Sequence, residues 1–227
     1  MDGVRFPGES AQYRAARDAL TETEIDLTRR IEEVAVLRRS LPRGGLVPAD
    51  YAFTAGPADL SADGPERTVR LSELFGAHDT LLLYSMMYSP AMDRPCPMCT
   101  SVVDSLDGAA PDVVQRAGFA VVASSPVSRI RTFARERGWA HIQLVSSAGT
   151  TYNRDYHGEN PEGEQLSRMN VFTRAGGQLA HFYATEQTTT ATGQDDRHVD
   201  LVWPLWNLLD MTPSGRGQDW RPSYSRR

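Results

Sequence analysis

The sequence contains no lysine: all 24 of its basic residues are arginine. Without lysine no Schiff base can form, which excludes pyridoxal-phosphate enzymes and class I aldolases. The phosphate-cradling loop that ends in Gly-Lys-Ser/Thr is excluded on the same ground. The bland cause is the nucleotide composition of the source genome, so nothing positive is drawn from it. Cysteine is scarce, with two residues in 227. A chain of this length buries roughly three quarters of its unfolded surface and folds without staples. Long apolar runs are missing as well. The longest, Leu81–Tyr88, has the length of a strand and falls far short of the ~18 residues of a membrane span. A basic excess is lacking too: the net charge of −5 argues against a nucleic-acid partner, because a phosphate backbone calls for a basic face. The start, MDGVRFPGES, has no apolar segment and carries Asp2, Arg5 and Glu9, unlike a secretory signal. The expected compartment is the cytoplasm, where stable disulfides are rare.

What is present has a clear order. Residues 10–40 predict a long helix capped by Ser10, with Tyr13, Leu20, Leu27 and Val34 at seven-residue spacing and Ala16, Ile31 and Leu37 widening the stripe. Arg14, Arg17, Glu24, Arg29, Glu32 and Arg38 are expected on the opposite face. Pro42 and Gly44-Gly45 stop the helix. A stripe this long needs a partner surface, either the body of the protein or a second subunit, and a homodimer through this helix is the expectation. Tyr51–Gly56 and Thr68–Leu71 read as a hairpin around Asp63-Gly64-Pro65. Leu71–Phe75 reads as a short helical turn. Buried strands are expected at Leu81–Tyr88, Phe119–Ala123 and Ile142–Val145. Helical pieces are expected from Pro97 to about Asp107, over Pro111–Ala117 and over Pro126–Arg137, the last with four arginines outward and Gly138 as its terminator. Asn170–Arg174 and Gln178–Tyr183 flank Gly176-Gly177, a hairpin signal. Val199–Leu209 predicts a final helix with Pro204 near its start or kinking it, and Trp203, Trp206 and Leu209 as core. The threonine run 188–190 and the stretch after Pro213 read as loops. Alternating β and α with buried strands means an α/β fold with a parallel or mixed sheet and helices on both faces.

The two cysteines form Cys96-Pro97-Met98-Cys99, between a buried strand and a helix. There, C-x-x-C reads as a thioredoxin-like redox motif. With Pro97 as the first helical residue, Cys96 falls at the N-cap. The free amides and the positive end of the helix dipole then lower its thiol pKa, and Arg94 adds a positive charge nearby. Cys96 is the expected nucleophile and Cys99, one turn on, the buried resolving thiol. The bland alternative is a pair of ordinary buried thiols, and the placement argues against it. Structural zinc fits poorly because no second ligand pair accompanies the first. A soft-metal reading stays open, since Met86, Met87, Met92 and Met98 surround the cysteines and thioethers favour Cu(I). Met86 and Met87 read better as gap-fillers of a buried strand, and Met92 and Met98 as apolar borders of the site.

The segments PCPMCTSVVDSLDGAAPDV, GWAHIQLVSSAGTTYNRDY and LLDMTPSGRG resemble a bacterial family of unknown function labelled predicted dithiol–disulfide oxidoreductase. The resemblance covers most of residues 10–217. It implies a thioredoxin-like fold of the larger, peroxiredoxin-related type: a long N-terminal helical extension over residues 1–45, a thioredoxin-like domain over 46–212 and a tail over 213–227. It also implies a thiol oxidoreductase that needs no organic cofactor and no metal. Tyr152, Asn153, Arg154 and Asp155 match the family pattern and are expected to line the cleft beside Cys96, with a simple turn as the alternative. The chain departs from the fold in one respect. Thioredoxin-like proteins carry a cis-proline before the strand that faces the C-x-x-C, and here the segment before Val171-Phe172 is GEQLSRMN.

Arg94, Met98, Trp139, Tyr152, Asn153 and Asp155 are therefore the candidate substrate-binding residues around the catalytic pair Cys96 and Cys99, although Trp139 reads first as a packing residue. His141, His157 and His181 are acids or bases in principle, and nothing in the sequence brings one to Cys96. The expected partner is a small-molecule thiol or disulfide or a dedicated protein, with no nucleic acid and no membrane. Two alternatives remain. One is a thiol peroxidase, weakened because Asp93 stands where peroxiredoxins have a threonine three residues before the reactive cysteine. The other is a binding module that holds a soft metal or a partner without turnover.

Overall fold

The computed structural model describes residues 4–185, 196–217 and 220–224, so the threonine run 188–190 lies outside the described residues. The chain divides into two compact units, Met1–Pro42 and Arg43–Arg227. The first unit is built on α1, Ala11–Arg39, whose N-cap Ser10 accepts a hydrogen bond from the Tyr13 amide at 3.1 Å. Its apolar stripe is exposed from Tyr13 to Leu37. Arg14, expected on the solvent face, is the buried residue of this helix. Its guanidinium donates to the Val4 carbonyl at 2.6 Å and pairs with Asp18 at 2.9 Å, so the chain entering the helix folds over it.

The second unit is organised by one seven-stranded mixed sheet. Its strands are β1 (Ala52–Ala55), β2 (Arg67–Arg70), β3 (Thr80–Ser85), β4 (Gly118–Ala123), β5 (Gln143–Ser146), β6 (Arg168–Ala175) and β7 (Gln178–Ala184), in the spatial order β2-β1-β5-β4-β3-β6-β7. β3, β4 and β5 run parallel, and β1, β2, β6 and β7 join by antiparallel pairing. Helices α2 (Pro97–Val113) and α3 (Val127–Arg137) are the crossovers of the parallel strands, and a four-residue helix α4 (Tyr152–Asp155) precedes β6. The last helix, α5, spans Leu205–Asp210. This is an α/β arrangement, a mixed sheet with helical pieces on both faces.

Pleating sorts the core. Tyr84 on β3 and Met86 just after it face the layer of α2, α3 and α5, whereas Leu81 and Leu83 face a second cluster with Phe53, Tyr152 and Phe172. β4 is buried along its whole length, held between β3 and β5. The β6–β7 turn uses Gly176 and Gly177 at φ +57° and +75°, the left-handed geometry that hairpins of this length require.

Three expectations need correction. The two helical pieces 97–107 and 111–117 are one helix, α2, with Pro111 inside it. A proline this close to the end removes one backbone bond, while Leu106 and Ala110 stay buried on the apolar face. The final helix is instead split: a 3-10 turn, Asp196–Leu201, is followed by α5, with Pro204 as the N-cap of the latter. Trp203 and Trp206 are nonetheless both core, with ring centroids 5.2 Å apart. Of the four α3 arginines expected outward, Arg131 and Arg137 are buried. Arg131 donates to the carbonyls of Pro57, Asp59, Leu60 and Ala62 and so holds the long β1–β2 loop. Arg137 pairs with Asp104 on α2. Both apply one rule: a buried guanidinium is tolerated where its fork of donors is filled. No helix among the described residues is long and apolar enough to cross a membrane.

Candidate active site

Cys96 is the N-cap of α2 and Pro97 its first residue, because proline has no amide to leave unsatisfied there. The Cys96 backbone is fixed at both ends. Its amide donates to the Met87 carbonyl at 2.9 Å, and its own carbonyl accepts from the Thr100 amide at 2.9 Å and the Thr100 hydroxyl at 3.0 Å. The strand exit and the helix start are thereby pinned together, and the thiol is held at the end of the sheet. Cys96 is half-buried, Cys99 is buried, and both are free thiols.

The two sulfurs share one hydrogen bond unequally. The Cys99 thiol donates to Cys96, and this bond, followed by the amides of Cys99 and Met98, outweighs burial and brings the Cys96 pKa down to about 6. The cost falls on the partner: the bond to Cys96 and full burial push the Cys99 pKa well above its ordinary value. The positive helix terminus acts here through particular amides. The Met87 amide and the Tyr84 hydroxyl act on Cys99 in the opposite direction, favouring its thiolate, and are outweighed.

Arg94 takes a different position from the one expected. Its guanidinium pairs with Glu136 at 3.0 Å and lies between the rings of Phe133 and Tyr224, at 5.3 and 4.7 Å from their centroids. The Cys96 shift arises from hydrogen bonds and burial, not from this charge. Arg94 and Arg129 instead line a cleft of about 330 Å³ with Tyr88, Asp93 and Thr132. Pro97, on the other side of Cys96 in the chain, lines a second cleft of about 300 Å³ with Ser101, Asp104 and Trp220. Met98 and Met92 are partly buried at the edge of the core around Cys99, whereas Met86 is fully inside it.

Trp139 is buried, donates its indole N–H to Asp104 at 2.8 Å and meets Phe133 edge-on; it is a packing residue. Tyr152 is buried on the opposite face of the sheet, among Tyr51, Phe53 and Phe172. Asn153 accepts from the Ser147 hydroxyl at 2.9 Å, and Asp155 accepts from the Tyr51 hydroxyl at 2.7 Å. Among the described contacts none joins these three residues to Cys96. They close the far layer of the fold. His181 bonds Asn170 at 3.0 Å on that same side, and burial lowers its pKa. His141 donates its amide to Asp107. Among the described residues no group of three or more His, Cys, Asp or Glu is placed to hold a metal ion.

Sequence reading missed three residues here. Tyr84 was detectable, since a hydroxyl in the apolar run LLLYSMMY needs a partner and shares the parity of Met86. Arg129 donates to the carbonyls of Pro90, Met92 and Asp93 and packs over Tyr88, holding the loop before Cys96. Tyr224 gives no sequence signal, because its turn-rich surroundings read as a tail. Its hydroxyl donates to the Pro95 carbonyl, next to Cys96.

A family profile described as a bacterial protein of unknown function (DUF899) matches residues 4–227. No curated protein matches the chain. Among solved structures, the chain is similar to the reduced 2-Cys peroxiredoxin of Plasmodium vivax, at 15% identity and a TM-score of 0.49, over 75% of this chain and 98% of that one. It is also similar to peroxiredoxin Q of Xanthomonas campestris, at 18% identity and 0.46, over 70% and 92%. A peroxiredoxin-like protein of Aquifex aeolicus matches at 16% identity and 0.40, over 63% and 75%.

Proposed function

Since the chain belongs to the DUF899 family of bacterial proteins of unknown function, we propose from its own geometry that it is a thiol–disulfide oxidoreductase. The observation that carries this reading is Cys96 at the N-cap of α2, half-buried one turn before the buried Cys99 thiol, with its pKa brought down to about 6. The Cys96 thiolate attacks one sulfur of a disulfide substrate. A Cys96–substrate disulfide forms and the other half of the substrate leaves as a thiolate. Cys99 then loses its proton and attacks the Cys96 sulfur, closing Cys96–Cys99 and releasing the second half. The substrate is reduced by two electrons and the protein is oxidised by two. No cofactor is called for, and a cytoplasmic setting keeps the pair reduced between turnovers.

The substrate is a small-molecule disulfide or a dedicated partner. Residues 163–170 before and into β6 contain no proline, so the backbone clamp that aligns broad protein substrates is missing, and alignment supplies much of the rate. Reduced protein is expected to consume glutathione disulfide with formation of Cys96–Cys99, yet to reduce insulin at least about tenfold more slowly than a thioredoxin does. Cys96→Ser abolishes both. Insulin reduction at a thioredoxin-like rate would return the protein to the generalist class. Hydrogen peroxide consumed faster than any disulfide would replace the reading with a thiol peroxidase.

The protein pairs through α1. Tyr13, Leu20, Leu27, Ile31 and Leu37 form an exposed apolar stripe, more than a single solvated helix carries. Light scattering is expected to report a dimer that removal of residues 1–40 converts to a monomer. A monomeric full-length chain at micromolar concentration refutes this pairing.

A further inference from the structure

The face of α2 that follows Cys96 looks onto residues near position 220. Pro97, Thr100, Ser101 and Asp104 recur at three- and four-residue spacing and so share one side of the helix. Across from them stand Trp220, Pro222, Ser223 and Tyr224, and the cleft of about 300 Å³ lies between the two. That volume is at the lower end of small-molecule sites.

Segment 220–224 is anchored on both sides of this cleft. On one side the Arg221 guanidinium lies 5.3 Å from the ring centroid of Trp206, a core residue of α5. On the other the Tyr224 hydroxyl donates to the Pro95 carbonyl. The Tyr224 ring centroid lies 4.7 Å from the Arg94 guanidinium and 6.1 Å from that of Phe133, and Tyr224 packs against the core cluster that contains Cys99. Both chain neighbours of Cys96 are thus engaged by this segment: Pro95 is bonded to Tyr224, and Pro97 shares the cleft with it. The lining is polar with its charges matched. Asp104 pairs with Arg137 and also accepts from Trp139, Ser101 and Ser223 supply hydroxyls, and Leu205 and Trp220 supply apolar surface.

Resting on the oxidoreductase reading above, we propose that segment 220–224 is the outer wall of the substrate site and sets its specificity for small-molecule disulfides. The half of the substrate that becomes bonded to Cys96 is held between this wall and α2, and the other half departs as the thiolate. A polypeptide continues in both directions from its cystine and collides with the wall. Selectivity of this kind is built by obstructing the wrong partner, and it acts independently of the missing proline before β6.

The test uses two full-length variants that keep the cysteine pair. Tyr224→Ala opens the wall, and Ser223→Trp, at an exposed position, fills the cleft. Mixed disulfides on Cys96 are trapped by acid and counted by mass spectrometry, with glutathione disulfide and insulin as substrates. In Tyr224→Ala the ratio of the insulin rate to the glutathione disulfide rate rises at least about tenfold over wild type, the scale on which pocket contacts discriminate. In Ser223→Trp the glutathione disulfide rate, taken relative to iodoacetamide labelling of Cys96, falls at least about tenfold. Taking ratios removes any change in the thiol itself. An unchanged ratio in either folded variant overturns the wall, and Ser223→Trp carries the test if Tyr224→Ala fails to fold. The wall is also read without disulfide chemistry. A maleimide joined directly to a peptide, compared with N-ethylmaleimide, gains on Cys96 in Tyr224→Ala. A wild type that shows this alkylation pattern but forms no mixed disulfide overturns the oxidoreductase reading and leaves the obstruction in place.

Discussion

At pH 6, limiting iodoacetamide is expected to label Cys96 more than about 100-fold faster than Cys99. Three features act together. Cys96 is half-buried and Cys99 is buried. The hydrogen bond from Cys99, aided by the Met98 and Cys99 amides, brings Cys96 down to about 6. The same bond pushes Cys99 up. The sign follows directly: the thiolate attacks, so Cys96 labelling is on a plateau above pH 7 and falls about tenfold per unit below pH 6. Removing the donor by Cys99→Ala takes away the largest stabilising contribution and moves the midpoint upward. The measurement is peptide mapping of labelled protein across pH 4–9. Equal labelling of both cysteines, or a midpoint near the ordinary thiol value of about 8.5, refutes the geometry. A midpoint near 6 that is unmoved in Cys99→Ala assigns the effect to the helix amides alone.

Asp107→Ala is expected to cost about 3 kcal/mol, or about 10 °C in melting temperature. The Asp107 carboxylate on α2 is buried and accepts from the amides of Ala140, His141 and Ile142 at 3.1, 2.9 and 3.0 Å. These amides belong to the turn between Gly138, which ends α3 at φ +74°, and β5. The backbone there has no helix or sheet partner of its own, and unpaired buried donors are expensive. Alanine leaves all three unsatisfied. The Asp107→Asn change keeps the oxygen that carries most of these bonds, so its cost is about 1 kcal/mol. Urea unfolding of the reduced protein separates the two. A loss below about 0.5 kcal/mol for alanine would mean that water replaces the carboxylate and that this corner is wetter than its burial indicates.

Much of the fold was legible, and the reasons are local. Ser10 caps, Gly138 terminates, Gly176-Gly177 turns, and each does so through its own backbone chemistry. The strand at Leu81 is visible because a strand buried on both faces must be apolar throughout. The boundary that failed at a proline was the one before Pro111, whereas Pro204, expected near a helix start, is the N-cap of α5. The tripeptide around a proline does not reveal whether a helix runs through it. The arginines of α3 were misread for another reason. Arg129, Arg131, Arg135 and Arg137 are alike in sequence, and only the arrival of the 57–62 loop and of Asp104 decides which guanidinium has partners and can be buried.

The site divides in the same way. The sequence alone placed Cys96 at the N-cap of a helix, the setting that lowers a thiol pKa. Everything that creates it lies within four residues: the proline that opens the helix, the free amides and the second thiol one turn on. Tertiary structure decided what surrounds it. Tyr152, Asn153 and Asp155 follow β5 and turn to the far face of the sheet, whereas Tyr84, twelve residues before Cys96, comes to lie beneath Cys99. Arg94 is drawn to Glu136 and Phe133 on α3 and to Tyr224, far along the chain. A helix terminus fixes its charge by short-range bonding, which a few letters encode. The face a side chain meets depends on strand parity and on which segments return to cover it, and those are properties of the whole chain once packed.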